Sequence, residues 1–422
     1  MNRRSQNSTI KIAALMGFYL SYFLSYFIKL SPSIIMPVLQ ARYNFTSGQT
    51  GFISSMYFLP YATMQLFVGP LSRKIGAAPL VGLGMLVAAT GLMLFSHGTT
   101  VAVLAAGRFL LGIGCGPIFI GMIYFMRESF EPERFARYYG YGVLVSALGS
   151  IFAAAPLKFL LESIPEEGFF TGISVFTFAF GIFMILIDRQ PDRKHQASHG
   201  NIITSIARDI RITFSSRLLT AGVLIWIIQA TSLVCYQGLW CTKWTETAFP
   251  TLNRFSGLSG IAISIGAIIA STCGENWVGA YMRRTGRNLK RTLISICFMH
   301  IAATMLLSAV KQTDSTLMFC ISLLCDVMYG FSTATIVVQG GIYVKENTGA
   351  AENASVMGVY NFIGCIGQQL SQWLTGVEID VLAGVTSLGM AFCLTFSTLA
   401  AIYLLITLTS AFLMRRNHKD LP

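Results

Sequence analysis

Three ionisable side chains stand inside long apolar stretches of this chain: Lys29, Arg108 and Asp326. A charge near the middle of a bilayer costs at least about 2.5–3.5 kcal/mol. Each is therefore a candidate for chemistry that needs a charge away from water. Lys29 would present a compact ammonium to an anion; the alternative is a structural pair with a carboxylate. Arg108 is suited to contact with a solute, to helix–helix packing or to tuning a proton site. Asp326 is the candidate proton carrier, because burying a carboxyl group favours its neutral form. The alternative for Asp326 is a lasting salt bridge to Arg108 or Lys29. Uncharged polar groups would add specificity: Tyr26, Gln229, Tyr236, Gln237 and Asn361. Tyr236 follows Gln229 by seven residues, which places both on one face of an α-helix. His300 reads as packed scaffold.

The elements that hold these groups follow from composition. The chain has 422 residues, of which 54% are hydrophobic and 11% charged. An ordinary globular domain carries about 25% charged residues, so this chain cannot cover a water-exposed surface. Intrinsic disorder needs low hydrophobicity and is excluded. Barrel strands alternate in short pieces, whereas the apolar runs here are long and unbroken. The expected class is an all-α membrane protein with twelve transmembrane helices in two pseudo-symmetric six-helix bundles. The spans are expected near 12–38, 48–70, 79–96, 100–125, 137–160, 169–187, 218–240, 256–279, 289–309, 316–342, 354–376 and 382–413. The first reads as an uncleaved span and not as a signal peptide. Residues 1–187 would form the N-terminal bundle and 218–422 the C-terminal one. Residues 188–217 read as a cytoplasmic linker, with an amphipathic piece at Ile202, Ile203, Ile206, Ile210 and Phe214.

The formal net charge of +12 speaks of topology and not of nucleic acid. Most of the 30 lysines and arginines fall on one alternate set of inter-span segments, which is expected to place both termini in the cytoplasm; the expected location is the cytoplasmic (inner) membrane. The nine cysteines lie mostly within apolar runs, with no CxxC pair, and read as small packing residues. No metal cluster or phosphate-binding loop is apparent, so no cofactor and no ATP drive are expected. Trp240, Trp244, Trp277 and Trp373 lie near span ends and read as interfacial anchors.

The two halves repeat. After the second span the chain reads Gly69-Pro-Leu-Ser-Arg73-Lys74-Ile-Gly76; after the eighth it reads Gly279-Ala-Tyr-Met-Arg283-Arg284-Thr-Gly286. Gly140 and Gly149 recur more weakly as Gly358 and Gly367. Internal duplication across a polar linker is an architectural sign of transporters. These features resemble the major facilitator superfamily of secondary transporters, over nearly the whole chain. The family signature between spans 2 and 3 has glycine, aspartate, basic residues and a second glycine. Gly69, Lys74 and Gly76 match, but Arg73 stands at the aspartate position, which puts the locking role of that aspartate in doubt here. Arg108, Gly112, Gly114 and Gly116 match a second motif, in span 4. The stretch Tyr26 to Leu39, with Lys29, Pro32 and Pro37, is similar to the organophosphate and sugar-phosphate permeases, where an arginine usually stands at the position of Lys29. Span 7 lacks the second basic residue of that branch, so a carboxylate and a phosphate ester are equally expected. The resemblance further implies that spans 1, 4, 7 and 10 line a central cavity, which would bring Lys29, Arg108 and Asp326 together. It also makes the two glycine–basic loops (Gly69, Arg73, Lys74, Gly76 and Gly279, Arg283, Arg284, Gly286) elements of conformational change.

The expected function is alternating-access transport of a small organic anion, with protons as the candidate coupling ion. The chain is expected to be a monomer in the lipid bilayer and not an enzyme. Two rivals stay open: a proton-driven exporter of drugs or amphipathic metabolites, and a sensor that binds a ligand without moving it.

Overall fold

The computed structural model describes residues 3–187, 202–286, 288–310, 313, 315–349 and 352–415. Among them all regular structure is helical. The chain divides into two compact units, Met1–His199 and Gly200–Pro422.

In the first unit the helices run Arg3–Leu30, Pro32–Tyr43, Ser47–Ser55, Phe58–Ile75, Ala77–His97, Val101–Ser129, Pro132–Phe152, Ala155–Leu161 and Glu166–Ile187. Each of the six expected stretches is helical, but three are interrupted. The first span stops at Leu30 because Pro32 has no N–H to donate and restarts the helix at its own N-terminus. The second breaks at Met56–Tyr57, ahead of Pro60. The fifth breaks at Ala153–Ala154 ahead of Pro156 and bends by 41°. Where helices begin anew, side chains cap them. Thr46 and Gln49 form a capping box, and the Thr100 hydroxyl accepts from the Val103 amide.

The second unit opens with Ile202–Ser215, followed by Arg217–Ser232. Residues 188–201 of the expected linker lie outside the described residues. Ile202–Ser215 packs against Asn353–Ala383 and leaves Ile210 and Phe214 exposed. The seventh span then widens into a π-helix over Leu233–Trp240 and returns to α over Cys241–Ala248. A 3-10 turn, Pro250–Phe255, leads to Leu258–Thr285, Leu289–Ala309, Thr316–Asn347, Asn353–Ala383 and Leu388–Leu413.

By length and apolarity, eight of the described helices are able to cross a membrane alone, and ten stretches do so when each bent pair counts once. The other two expected spans, the second and the eleventh, are also helical. The second is cut short by its break, and the eleventh is diluted by Gln368, Gln369, Gln372, Glu378 and Asp380.

The two glycine–basic motifs have a common structural origin. Arg73 and Lys74 occupy the last turn of one helix, and Arg283 and Arg284 the last turn of another. Cations there complement the negative end of the helix dipole. Gly76 and Gly286 then terminate the helices with positive φ, 97° and 62°, a conformation that favours glycine.

Candidate functional site

Lys29 is the penultimate residue of the first helix and is 9% exposed. Its Nζ sits 5.1 Å from the ring centre of Tyr26 and 5.6 Å from that of Tyr61. Among the described residues it has no carboxylate and no hydrogen-bond acceptor. The ring faces supply electrostatic attraction and leave the positive charge uncancelled. Tyr26, Tyr61, Phe119 and Tyr139 are all half-buried. Tyr26 meets Tyr22 edge-on, and Tyr22 in turn stacks on Phe119.

Arg108 is 1% exposed. Its Nη1 donates to the Ile28 carbonyl at 3.0 Å and its Nη2 to the Ser54 carbonyl at 3.2 Å. Both acceptors exist because helices are broken. The amide that would have served Ile28 is missing at Pro32, and Ser54 lies in the last turn of its helix, where carbonyls lack an intrahelical donor. The guanidinium also lies over Tyr57, 4.9 Å from the ring centre, and Tyr57 stacks on Tyr61 at 5.5 Å. The two cations of the first unit thus flank a pair of stacked rings. Of the two roles open to Arg108, the bonds of its two terminal nitrogens to backbone that the breaks left open supply the packing one.

In the second unit Asp326 is fully buried. Its Oδ1 accepts from the Tyr236 hydroxyl at 2.9 Å and its Oδ2 from the Ser259 hydroxyl at 2.7 Å. No cation of this unit pairs with it among the described residues. Within the unit its oxygens are satisfied by two neutral donors, which cancel no charge. Sequence reasoning pointed to Tyr236 but missed Ser259. A serine one residue into a helix carries no signal that it faces a carboxylate on another span.

The other expected contacts separate. Gln237 Nε2 donates to the Gly260 carbonyl and the Ser264 hydroxyl, tying the seventh span to the eighth. Gln229 is buried, and Asn361 is half-buried. Between Gln229 and Tyr236 the helix passes from α into π geometry at Leu233, so the seven-residue spacing is no longer that of an unbroken α-helix. Trp240 and Trp244 are corrected from interfacial anchors to core residues: each is 1% exposed. Trp240 packs on Phe392 and donates to the Thr375 hydroxyl, and Trp244 packs on Phe396. Trp277 and Trp373 are exposed. His300 lies buried between the hydroxyls of Ser232 and Ser332, at 2.7 and 2.9 Å.

Helices of membrane-crossing length, with isolated ionisable groups buried in each unit, define a multi-pass helical membrane protein. The profile of the Major Facilitator Superfamily matches residues 18–371, and the chain belongs to that family. The multidrug resistance protein MdtL of Salmonella schwarzengrund (strain CVM19633) is 22% identical over 208 residues, 48% of this chain and 53% of that protein. The chain thus spans about half the length of the curated relatives it matches. Among solved structures, the nucleoside transporter NupG has a TM-score of 0.76 at 13% identity, covering 96% of this chain and 100% of its own. The POT family transporter PepTSo has a TM-score of 0.71 at 11% identity, covering 95% and 97%. At such identities these structures establish the fold.

Proposed function

We propose that this protein moves a small organic anion across the cytoplasmic membrane by alternating access, with Lys29 engaging the negative group. The observation that carries this reading is the Lys29 ammonium, buried beside Tyr26 and Tyr61 without a counter-charge. An uncompensated cation in such a place is costly and is relieved when an anion arrives. A carboxylate and a phosphate ester both fit, since a lone lysine lacks the bidentate fork that would favour phosphate. Arg108 serves as the brace that holds the broken first and second spans together. Asp326 is the proposed proton carrier, and the basic excess places both termini in the cytoplasm. Reconstituted vesicles test the proposal. Lys29→Ala is expected to abolish anion uptake while the protein stays folded, and undiminished uptake by that variant would refute it.

A second reading, export of amphipathic drugs, is favoured by the half-buried ring cluster around Lys29 and by the name of the MdtL relatives. Flat aromatic anions would satisfy both readings. Drug sensitivity after deletion, without loss of growth on any organic acid, would select the exporter.

A further inference from the structure

A second charged site lies in the second unit, away from the groups described above. A cavity of about 920 Å³ opens between the end of Leu258–Thr285, the start of Leu289–Ala309 and the end of Leu388–Leu413. Lys290, Arg291 and Arg415 line it, together with Asn288, Ile294 and Met414. None of the three cations pairs with a carboxylate among the described residues. The sequence from Gly279 to Ser308 contains no acidic residue at all. Like charges gathered without counter-ions repel one another.

Two of these cations are also badly placed within their own helix. Lys290 and Arg291 sit in the first turn of Leu289–Ala309, where no acidic residue is present. The positive end of the helix dipole disfavours cations there. Asn288 caps only the Arg291 amide, so other first-turn amides also face outward without an intrahelical acceptor. All these features are relieved by one kind of group, a bound anion.

The apolar surroundings narrow the choice. Ile294 and Met414 form part of the wall. The helices that carry them continue with Phe298, Met305, Leu405 and Phe412 exposed, the surface that a membrane protein turns to hydrocarbon. An anionic headgroup held by the cations would place its acyl chains along those residues.

We propose that this cavity binds the headgroup of an anionic phospholipid from the leaflet on the basic side of the membrane. Lys290, Arg291 and Arg415 contact the phosphate. Basic pockets between spans at that membrane face are suited to such headgroups, and arginine adds bidentate geometry for phosphate.

The test uses the purified full-length protein, delipidated in neutral detergent. Phosphatidylglycerol, phosphatidylcholine or inorganic phosphate is then added, and bound molecules are counted by native mass spectrometry. Retention of phosphatidylglycerol is expected to exceed that of phosphatidylcholine at least about fivefold, the weight of roughly one cation near an anionic surface. The triple substitution Lys290→Gln, Arg291→Gln, Arg415→Gln should remove that preference. The control Arg127→Gln, Arg137→Gln, Arg211→Gln, which loses the same charge elsewhere, should keep it. Equal retention of the two lipids overturns the proposal, as does equal loss in both triple variants. Displacement of the lipid by millimolar inorganic phosphate overturns the lipid assignment in favour of a soluble anion. Should the pocket triple variant not purify folded, Arg291→Gln, an exposed position, decides in its place. The measurement does not depend on transport, so it stands or falls apart from the role of Lys29.

Discussion

Arg108 and Asp326 occupy matching places in the two units. Each lies four residues before a glycine, Gly112 or Gly330. The absent side chain of that glycine lets a backbone carbonyl of a neighbouring span approach closely, Tyr57 in one unit and Ile263 in the other. Each charged group is bonded to the first two spans of its own unit, Arg108 to Ile28 and Ser54 and Asp326 to Tyr236 and Ser259. The duplicated fold has kept the bracing position and reversed the sign of the charge.

If Arg108 is a brace, its loss acts on stability. Arg108→Met leaves the buried Ser54 carbonyl without its donor and the Ile28 carbonyl with the Ser31 hydroxyl alone, and should cost about 1–3 kcal/mol. Arg108→Lys should recover only part of this, because one ammonium does not reproduce the fork. Thermal unfolding in detergent measures both. An unchanged midpoint in Arg108→Met would remove the brace from the account.

Asp326→Asn retains an oxygen for one of the two hydroxyls but cannot carry a proton. For coupled uptake, a higher proton concentration outside should drive accumulation in the wild type. The variant should lose that accumulation while still exchanging labelled for unlabelled solute. Gradient-driven accumulation by Asp326→Asn at wild-type level would assign the coupling elsewhere.

Tyr61 tests the ring environment of Lys29. Tyr61→Phe keeps the π-face and should leave anion affinity within about twofold, whereas Tyr61→Leu removes a contact worth about 0.5–2 kcal/mol. Ligand-dependent thermal shift reports the difference. Identical behaviour of the two variants would show that the ring face contributes nothing.

The helix-ending glycines differ in severity. Gly286 has φ 62° and ψ 28°, the left-handed region that alanine enters at a cost of about 1–2 kcal/mol. Gly76 has φ 97° and ψ 151°, outside that region and more restrictive for any Cβ-bearing residue. Gly76→Ala should therefore lower the unfolding midpoint more than Gly286→Ala, and the reverse order would contradict the backbone argument.

Much of this was readable from residue order alone. Long apolar runs located the helices, and the paired Gly69–Gly76 and Gly279–Gly286 motifs announced two related halves, because helix termination is local chemistry. The break at Pro32 lay inside a stretch read as one span, 12–38, and the group that answers it across space left no mark in the sequence. Arg108 answers backbone carbonyls, which carry no side-chain signature, and Ser259 looks like any serine near a helix start. Trp240 and Trp244 misled because a tryptophan near a span end has the same sequence context whether it faces lipid or the Phe392–Phe396 cluster. The wide turns of the seventh span over Leu233–Trp240 carry no signal in the residue order.

Those wide turns change what the seventh span tolerates. A residue removed from Leu233–Trp240 lets the backbone tighten toward ordinary α geometry, so that helix continues on either side with little net rotation. The same removal from Val101–Ser129, α throughout, would swing every later side chain of that span by about 100°. The protein thus carries, next to its buried carboxylate, one place where chain length is adjustable without loss of aim.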